Sequence, residues 1–413
     1  MGKTLFHFII LIWEILIWEE TSVEMVIADK RWVKKYPEVG TGPVSAEPCV
    51  SPEYFELERE RVFRRTWLYV GRVEAIPKPG DYFVQDIAVC RASILIIRST
   101  DNVVRAFHNV CSHRGNKLVW DDTGSCPGVL ACGFHSWTYD TTGRLTWVAD
   151  EENFFNLDKS EHGLTPVATE VWQGFIFINL DANPQESLPH YLGGITQQLG
   201  AADFGQLTRA HAYSVTEQAN WKVALDAQNE LYHLPFQHRH TIPDSCTLKD
   251  GRFPRLLDVR LYHHHSVYSS RVPADRIPKP VESLAYRLVS SDTERRLPLI
   301  GDFDFYTIFP NFALLLFRGV SQDYYLTYSF WPLAVDQTRW DISLYFPPVT
   351  CASQRIGQEY MKCLLRDILH EDAFAHEQIQ IGLASRAKKY LLLQDEEIQI
   401  RHFHRVLEGY VGT

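Results

Sequence analysis

The sequence predicts an α+β protein of two domains: a small all-β domain, then a larger one with an antiparallel sheet and long C-terminal helices. Three observations predict it. The chain has 413 residues, more than one ordinary domain of roughly 150 residues. From Leu68 to Leu180, short β-branched and aromatic runs such as Ile94-Leu95-Ile96-Ile97 and Phe175-Ile176-Phe177-Ile178 alternate with turns such as Pro79-Gly80 and Thr142-Gly143. From about residue 205, helical and strand-like stretches mix, and the chain closes on two helical segments. With 45% apolar and 22% charged residues, the composition is that of a folded globular protein. A formal net charge of -10 argues against a nucleic-acid binder, which carries a basic face. Gly and Pro show no period, so collagen-like and solenoid folds have no support. Eight Cys are too sparse for a disulfide scaffold, which leaves reduced thiols free to hold something.

Taken in order, residues 1–47 read as an N-terminal extension and arm. Leu5 to Trp18 is apolar but interrupted by Glu14, and falls short of the ~20 residues that span a bilayer. Lys3 offers a basic end for a signal peptide, yet no small-x-small cleavage site follows. The expected native start is Met25; a disordered or partner-packed extension comes second, and an anchor or export signal last. A cytoplasmic location without membrane contact is therefore expected. Val39 to Pro48 is rich in Gly, Pro, Ser and Thr, as in a linker. Ser51-Pro52-Glu53 starts a helix, with an N-cap, Pro at the first position and an acid in the first turn. It is expected to reach Thr66 with Phe55, Val62 and Phe63 inward. The β domain is assigned to residues 48–182 and the second domain to 183–413. There, helices are expected over Asn220–Tyr232, Ser353–Ala384 and Glu396–Tyr410, with strands near 255–275 and 304–346.

Two constellations carry chemistry. The first is Cys111-Ser112-His113 with Cys132-Gly133-Phe134-His135, each a tight loop between strands. Two thiolates and two imidazoles suit a tetrahedral zinc, or a 2Fe-2S cluster with Cys on one iron and His on the other. His108 and Cys126 stand at unfavoured spacing and read as structural. The second constellation is Glu230, His233 and His238. On a helix, Glu230 and His233 share a face, and Pro235 would end that helix so that His238 folds back beside His233. Two His plus one remote carboxylate form the facial triad of non-haem iron(II) enzymes, with positions left open. Asp372 is the candidate acid and Glu371 its competitor. His240 and His263-His264-His265 are alternative imidazoles, though in a strand the middle of that run points away from its neighbours.

Phe107-His108-Asn109-Val110-Cys111-Ser112-His113-Arg114-Gly115 with Cys132-Gly133-Phe134-His135-Ser136-Trp137-Thr138-Tyr139-Asp140 closely resembles the Rieske domain of ring-hydroxylating oxygenases. High-potential Rieske proteins carry two further cysteines, where this chain has Asn116 and Phe134, so the resemblance is to the oxygenase type. It extends over about residues 45 to 410. The resemblance implies a helix-grip-like catalytic domain, with Asp372 as third ligand to a mononuclear Fe(II) and a 2Fe-2S cluster on Cys111, His113, Cys132 and His135. It also gives Glu230 the role of bridging His233 to a cluster His of a neighbouring subunit. Asp is commoner at that position. Asp226, Ala227 and Leu234 correspond to positions facing the substrate; Leu225-Asp226 stands where many relatives have Glu-Asn, and Ala227 where an aromatic is frequent.

The activity implied is that of an oxygenase component. It would use O2 and electrons from NAD(P)H, delivered by a reductase with or without a ferredoxin. Dihydroxylation of an aromatic substrate is expected. The alternative is a monooxygenase or demethylase acting on a quaternary amine, an ether or another non-aromatic compound, since some amine-oxidising relatives also have Glu at the position of Glu230. A pure electron-transfer protein would not need His233, His238 and Asp372. Electron transfer between subunits implies a homotrimer, with or without a β subunit.

Overall fold

Val44–Ser45, in the arm, pairs antiparallel with Tyr390–Leu391 near the other end of the chain, which ties the two termini of the fold together. The structure, a computed structural model, describes residues 32–242, 255–272, 280–287, 297–319 and 323–412. The apolar run at Leu5–Trp18, the Met25 start and Cys246 lie outside the described residues. Helix α1 (Pro52–Glu58) starts as expected, with the Ser51 hydroxyl accepting the Tyr54 N–H and Pro52 in the first turn. It gives way to a wider π turn over Arg59–Phe63. Phe55, Val62 and Phe63 are buried.

The β domain is built from β1 (Leu68–Arg72), β2 (Asp81–Ile87), β3 (Ala92–Arg98), β4 (Val104–His108), β5 (Thr123–Ser125), β6 (Val129–Ala131), β7 (Thr138–Asp140), β8 (Leu145–Trp147), β9 (Pro166–Trp172) and β10 (Phe175–Asn179). Seven strands form one sheet in the order β1-β10-β9-β4-β3-β2-β5, and β6-β7-β8 form a three-stranded sheet. Strand β3 shows why the cysteine loops have a firm base. Ile94 and Ile96 face the main core, while Leu95 and Ile97 face a separate core that includes Cys111, Cys132 and Trp137, as the period of two along a strand requires.

The second domain begins with β11 (Thr208–Glu217), α2 (Trp221–Gln228) and α3 (Leu234–Gln237). It continues with β12 (Asp258–Leu261), β13 (Ser266–Ser270), α4 (Pro280–Arg287), β14 (Phe303–Ile308), β15 (Phe312–Phe317), β16 (Tyr324–Ala334) and β17 (Gln337–Phe346), and closes with α5 (Ala352–Ala384) and α6 (Ile398–Val411). Its antiparallel sheet runs β11-β17-β16-β15-β14-β13-β12. Along β16, Tyr324, Leu326, Tyr328 and Phe330 join the core under α5 and α6, while Tyr325 joins the opposite core with Phe175 and Phe177 of the β domain. The domains are also clamped by a charge pair with neither side chain exposed. Lys222 Nζ on α2 lies 2.6 Å from Glu58 Oε1 on α1, and Trp221 Nε1 donates to the other oxygen at 3.0 Å. Among the described residues, no helix is long and apolar enough to cross a membrane.

Candidate metal centres and substrate cavity

Two loops of the same design hold the first site. The Cys111 N–H donates to Asn116 O at 2.8 Å, and Gly115 N–H returns to Cys111 O at 3.0 Å. In the second loop the Cys132 N–H donates to Trp137 O at 2.9 Å, and Ser136 N–H to Cys132 O at 2.8 Å. Gly115 and Ser136 close the loops in the left-handed region, at φ +75° and +58°. Both thiols are thereby buried and His135 is exposed. His113 stacks on Trp137 with its ring 5.0 Å away.

The two Nδ1 atoms of His113 and His135 are 3.1 Å apart. That is near the roughly 3.3 Å that separates two nitrogens on one tetrahedral metal at ~2 Å. The Tyr139 hydroxyl accepts the Ser112 N–H at 2.9 Å, which leaves its own proton for Cys111 Sγ at 3.3 Å. Asn116 Nδ2 donates to Cys132 Sγ at 3.5 Å. Burial raises the Cys111 thiol. At Cys132 burial is outweighed by the Phe134 N–H and the Asn116 amide, which lower it. Among the described residues, only His233, His238 and Asp372 bring three such donor atoms within 4.8 Å of one another. The Cys and His pairs are thus too far apart to share one zinc, and the four donors fit a two-iron cluster with one pair on each iron.

The second site is assembled differently from the sequence expectation. The helix expected over Asn220–Tyr232 ends at Gln228, so Glu230 and His233 meet through a bend rather than along a helical face. The Glu230 carboxylate makes that bend: it accepts the N–H groups of Tyr232 and His233 and binds His233 Nδ1. Pro235 also acts opposite to expectation. It stands in the first turn of α3 and starts that helix, because its missing N–H costs nothing there.

α3 delivers His238, whose side chain is 1% exposed, to within 3.0 Å of Asp372 Oδ1 by its Nε2; His233 Nε2 lies 3.8 Å from the same oxygen. Glu371 binds the other edge of the His238 ring, Nδ1, at 2.7 Å. A carboxylate only accepts, so both Nδ1 atoms carry the proton and both Nε2 atoms are left for a metal. The fit to a metal shows in an orphaned atom: His238 Nε2 is buried and makes no hydrogen bond, although Asp372 faces it. Burial would raise the Asp372 carboxyl, but His238 and His233 hold it below its usual range. Burial would lower His238, but Asp372 and Glu371 raise it.

The competing residues are placed elsewhere. His240 lies beside Arg239 at the surface. The His263–His265 run sits in the turn between β12 and β13 rather than in a strand. There His265 is structural: its Nδ1 accepts the Phe309 N–H at 3.0 Å, and its Nε2 donates to Tyr191 O at 2.8 Å.

His233, His238 and Asp372 open on a cavity of about 450 Å³ between the sheet and α5. Leu234 lines it as expected, but Asp226 and Ala227 do not. Asp226 turns instead to α6, where its Oδ2 accepts from His404 Nε2 at 2.7 Å, because α2 presents that face to the core. Sequence reasoning missed Tyr268, Phe305 and Tyr328, which line the sheet side. Their strand alternation was legible, but not which sheet face α5 would cover.

Residues 204–413 match the family described as "Ring hydroxylating alpha subunit (catalytic domain)", and residues 66–160 match the "Rieske [2Fe-2S] domain". The carnitine monooxygenase oxygenase subunit of Acinetobacter baumannii is 33% identical over 186 residues, 44% of this chain and 49% of that protein. The 2-aminobenzenesulfonate 2,3-dioxygenase subunit alpha of Alcaligenes sp is 34% identical over 205 residues, 48% of this chain and 50% of that protein. The matched stretches thus span about half the length of these relatives. The crystal structure of the quaternary ammonium Rieske monooxygenase CntA in complex with L-carnitine superposes with a TM-score of 0.70 at 23% identity, covering 89% of this chain and 95% of the other. At that identity the likeness speaks for the fold.

Proposed function

The chain belongs to the ring-hydroxylating alpha-subunit family, with a Rieske [2Fe-2S] domain and a catalytic domain that binds mononuclear iron, and on that footing we propose that it is the oxygenase component of a multicomponent system that monooxygenates a quaternary ammonium compound. The observation that carries the chemistry is the triad of His233, His238 and Asp372 opening on a cavity. Sequence likeness to a carnitine monooxygenase, together with Glu230 beside His233, supports the substrate class. Hydroxylation rather than aromatic dihydroxylation is therefore the first reading. The dihydroxylation reading stays second, favoured by the rings that line the cavity and by the likeness to an aminobenzenesulfonate dioxygenase.

When bound, the cluster supplies single electrons and the mononuclear iron supplies O2 activation. Cys111, Cys132, His113 and His135 hold the first; His233, His238 and Asp372 hold the second. Glu371 and Glu230 fix the orientation of the two ligating rings by accepting hydrogen bonds from their Nδ1–H groups. The apolar cavity walls keep water from the reacting carbon.

Electron delivery is proposed between subunits, from His113 or His135 of one copy to Glu230 of the next. Around the cluster loops Trp120, Phe134 and Phe155 are exposed, and around the iron ligands so are Tyr232, Phe236 and Phe374. Two different apolar patches on one chain suit a head-to-tail contact, which closes into a ring such as a homotrimer. A reductase, with or without a ferredoxin, would feed the ring from NAD(P)H in the cytoplasm.

The test is turnover with a reductase, NADH and labelled O2 over a panel of quaternary amines and aromatic acids, with product measured. One labelled atom in an amine-derived product supports the reading; two in an aromatic diol would replace it. Three irons per chain are expected, and two would remove the mononuclear site. Glu230→Gln is expected to keep both metal centres and slow single-turnover oxidation of the cluster; an unchanged rate would remove the bridging role.

A further inference from the structure

We infer that the end of the cavity remote from the metal ligands is a docking slot for a bulky hydrocarbon group of the substrate, and that Phe303, Phe317, Tyr324, Phe346 and Gly357 set this specificity. For the cationic end of the substrate the inference rests on the proposed function. The hydrocarbon end rests on the cavity itself.

The sheet register sets Phe303 opposite Phe317 and Phe317 opposite Tyr324. All four rings line the cavity. Their rings form one ladder: Phe303–Phe317 centroids are 4.7 Å apart, Phe317–Tyr324 4.8 Å with planes 1° apart, and Tyr324–Phe346 4.9 Å with planes 19° apart. Phe303 is tilted 34° against Phe317, whereas Tyr324, held between Phe317 and Phe346, has both faces covered and only its edge left for the cavity. A cation is attracted to a ring face, whereas ring edges are positive and apolar. The ladder is therefore a poor seat for an ammonium group and a good one for alkyl or aryl surface.

The ladder lies at the far end of the slot. Phe346 ends β17 just before α5 begins at Ala352. Tyr328 stands further along β16; its ring lies 5.1 Å from Trp340, which lies 5.7 Å from His376, one turn from Asp372 on α5, and this places it at the metal end. On the helix side, Gly357, Met361, Leu364, Ile368 and Asp372 all line the cavity, and their spacing makes one stripe down α5. From Asp372 back to Gly357 the helix rises roughly 22 Å, so the slot is long. Gly357 is a poor helix former in the interior of a helix; it lines the cavity, and its neighbour Gln358 donates to Pro347 O, next to Phe346, at 2.9 Å, which sets it near the ladder. Asp302 and Arg318, next in sequence to Phe303 and Phe317, also line the cavity, as does Arg271. Asp302 and Arg318 are half-exposed, and each already has a backbone partner, the Asp302 carboxylate accepting the Val272 N–H at 3.3 Å and Arg318 Nη2 donating to Leu299 O at 3.5 Å.

The experiment is calorimetric binding to the oxidised holoenzyme of tetramethyl-, butyltrimethyl- and hexyltrimethylammonium, with hexyldimethylamine N-oxide as the probe without net charge. Each added methylene is expected to tighten binding about three- to fourfold, more than a hundredfold across the series. Gly357→Leu, which favours the helix, fills the slot and should lower the hexyl-to-methyl affinity ratio at least tenfold; Phe317→Ala should lower it as well. A flat series, or a ratio unchanged in Gly357→Leu, would overturn the slot. If the N-oxide binds as tightly as the hexyl cation, the slot stands and the cationic substrate reading falls.

Discussion

Glu371 and Asp372 are adjacent acids on α5, and replacing each in turn separates a support from a ligand. In Glu371→Ala the His238 Nδ1–H loses its acceptor at 2.7 Å on a side chain that is 1% exposed. A buried donor left unbonded costs about 1–3 kcal/mol, and that cost falls on the metal-bound tautomer. Iron affinity should drop roughly 5- to 150-fold, the range in which losing an outer partner of a ligating His lowers affinity about 10- to 100-fold. Glu371→Gln keeps a carbonyl acceptor and should stay within several-fold of the parent. Asp372→Ala removes a ligand and should leave the mononuclear site empty at any practical chelator concentration. The assay is anaerobic chelator competition, read as iron per chain, with the cluster absorbance counting folded protein. If Asp372→Ala held its iron while Glu371→Ala lost it, the assignment of ligand and support would be reversed and the reasoning from ring edges refuted.

Three further outcomes are expected. Lys222→Met leaves Glu58 buried and uncompensated and should cost about 3–5 kcal/mol by denaturant titration, while Glu58→Leu with Lys222→Met recovers most of it; equal stability of the single and double variants would sink this. Burial depresses His265 to about 3, so in folding it gives up a proton that the unfolded chain holds below about pH 6.5; stability should therefore fall as pH drops from about 6.5 toward 3, by about 1.4 kcal/mol per unit from this group, and a substitution of His265 that leaves the acid slope unchanged would contradict it. Tyr139→Phe removes the hydroxyl proton aimed at Cys111 Sγ; a bond of about 1 kcal/mol corresponds to roughly 40 mV for one electron, so the cluster potential should move down by that order in a redox titration.

Parts of the site were legible where chemistry is local in sequence. Cys111-x-His113 and Cys132-x-x-His135 are loops whose own backbone bonds orient their ligands, and His233 and His238 lie on one short bend. The helix expected through Tyr232 shows the limit. Its periodicity continues past Gln228, but a single carboxylate, Glu230, captures two N–H groups and turns the chain. Pro235 likewise permits a helix end or a helix start, and only the competing bonds around it decide. The assignment of Asp226 and Ala227 to the pocket failed for a related reason: α2 has more than one buried face, and the one carrying Asp226 found His404 on α6.

By itself the sequence determined the two-part architecture and offered the candidate donor residues of both sites, because strand alternation, turn residues and short spacings act over a few residues; the two Cys and His motifs carried the resemblance to the family. Only the tertiary structure separated the two neighbouring acids, setting Asp372 against His233 and His238 and Glu371 against the other edge of His238. Consecutive helical residues point about 100° apart, and the packing of α5 on the sheet chooses which of them reaches the imidazoles. The same packing chose the sheet face that became the cavity wall, and so the ring ladder, whose members lie on four strands and meet only through register.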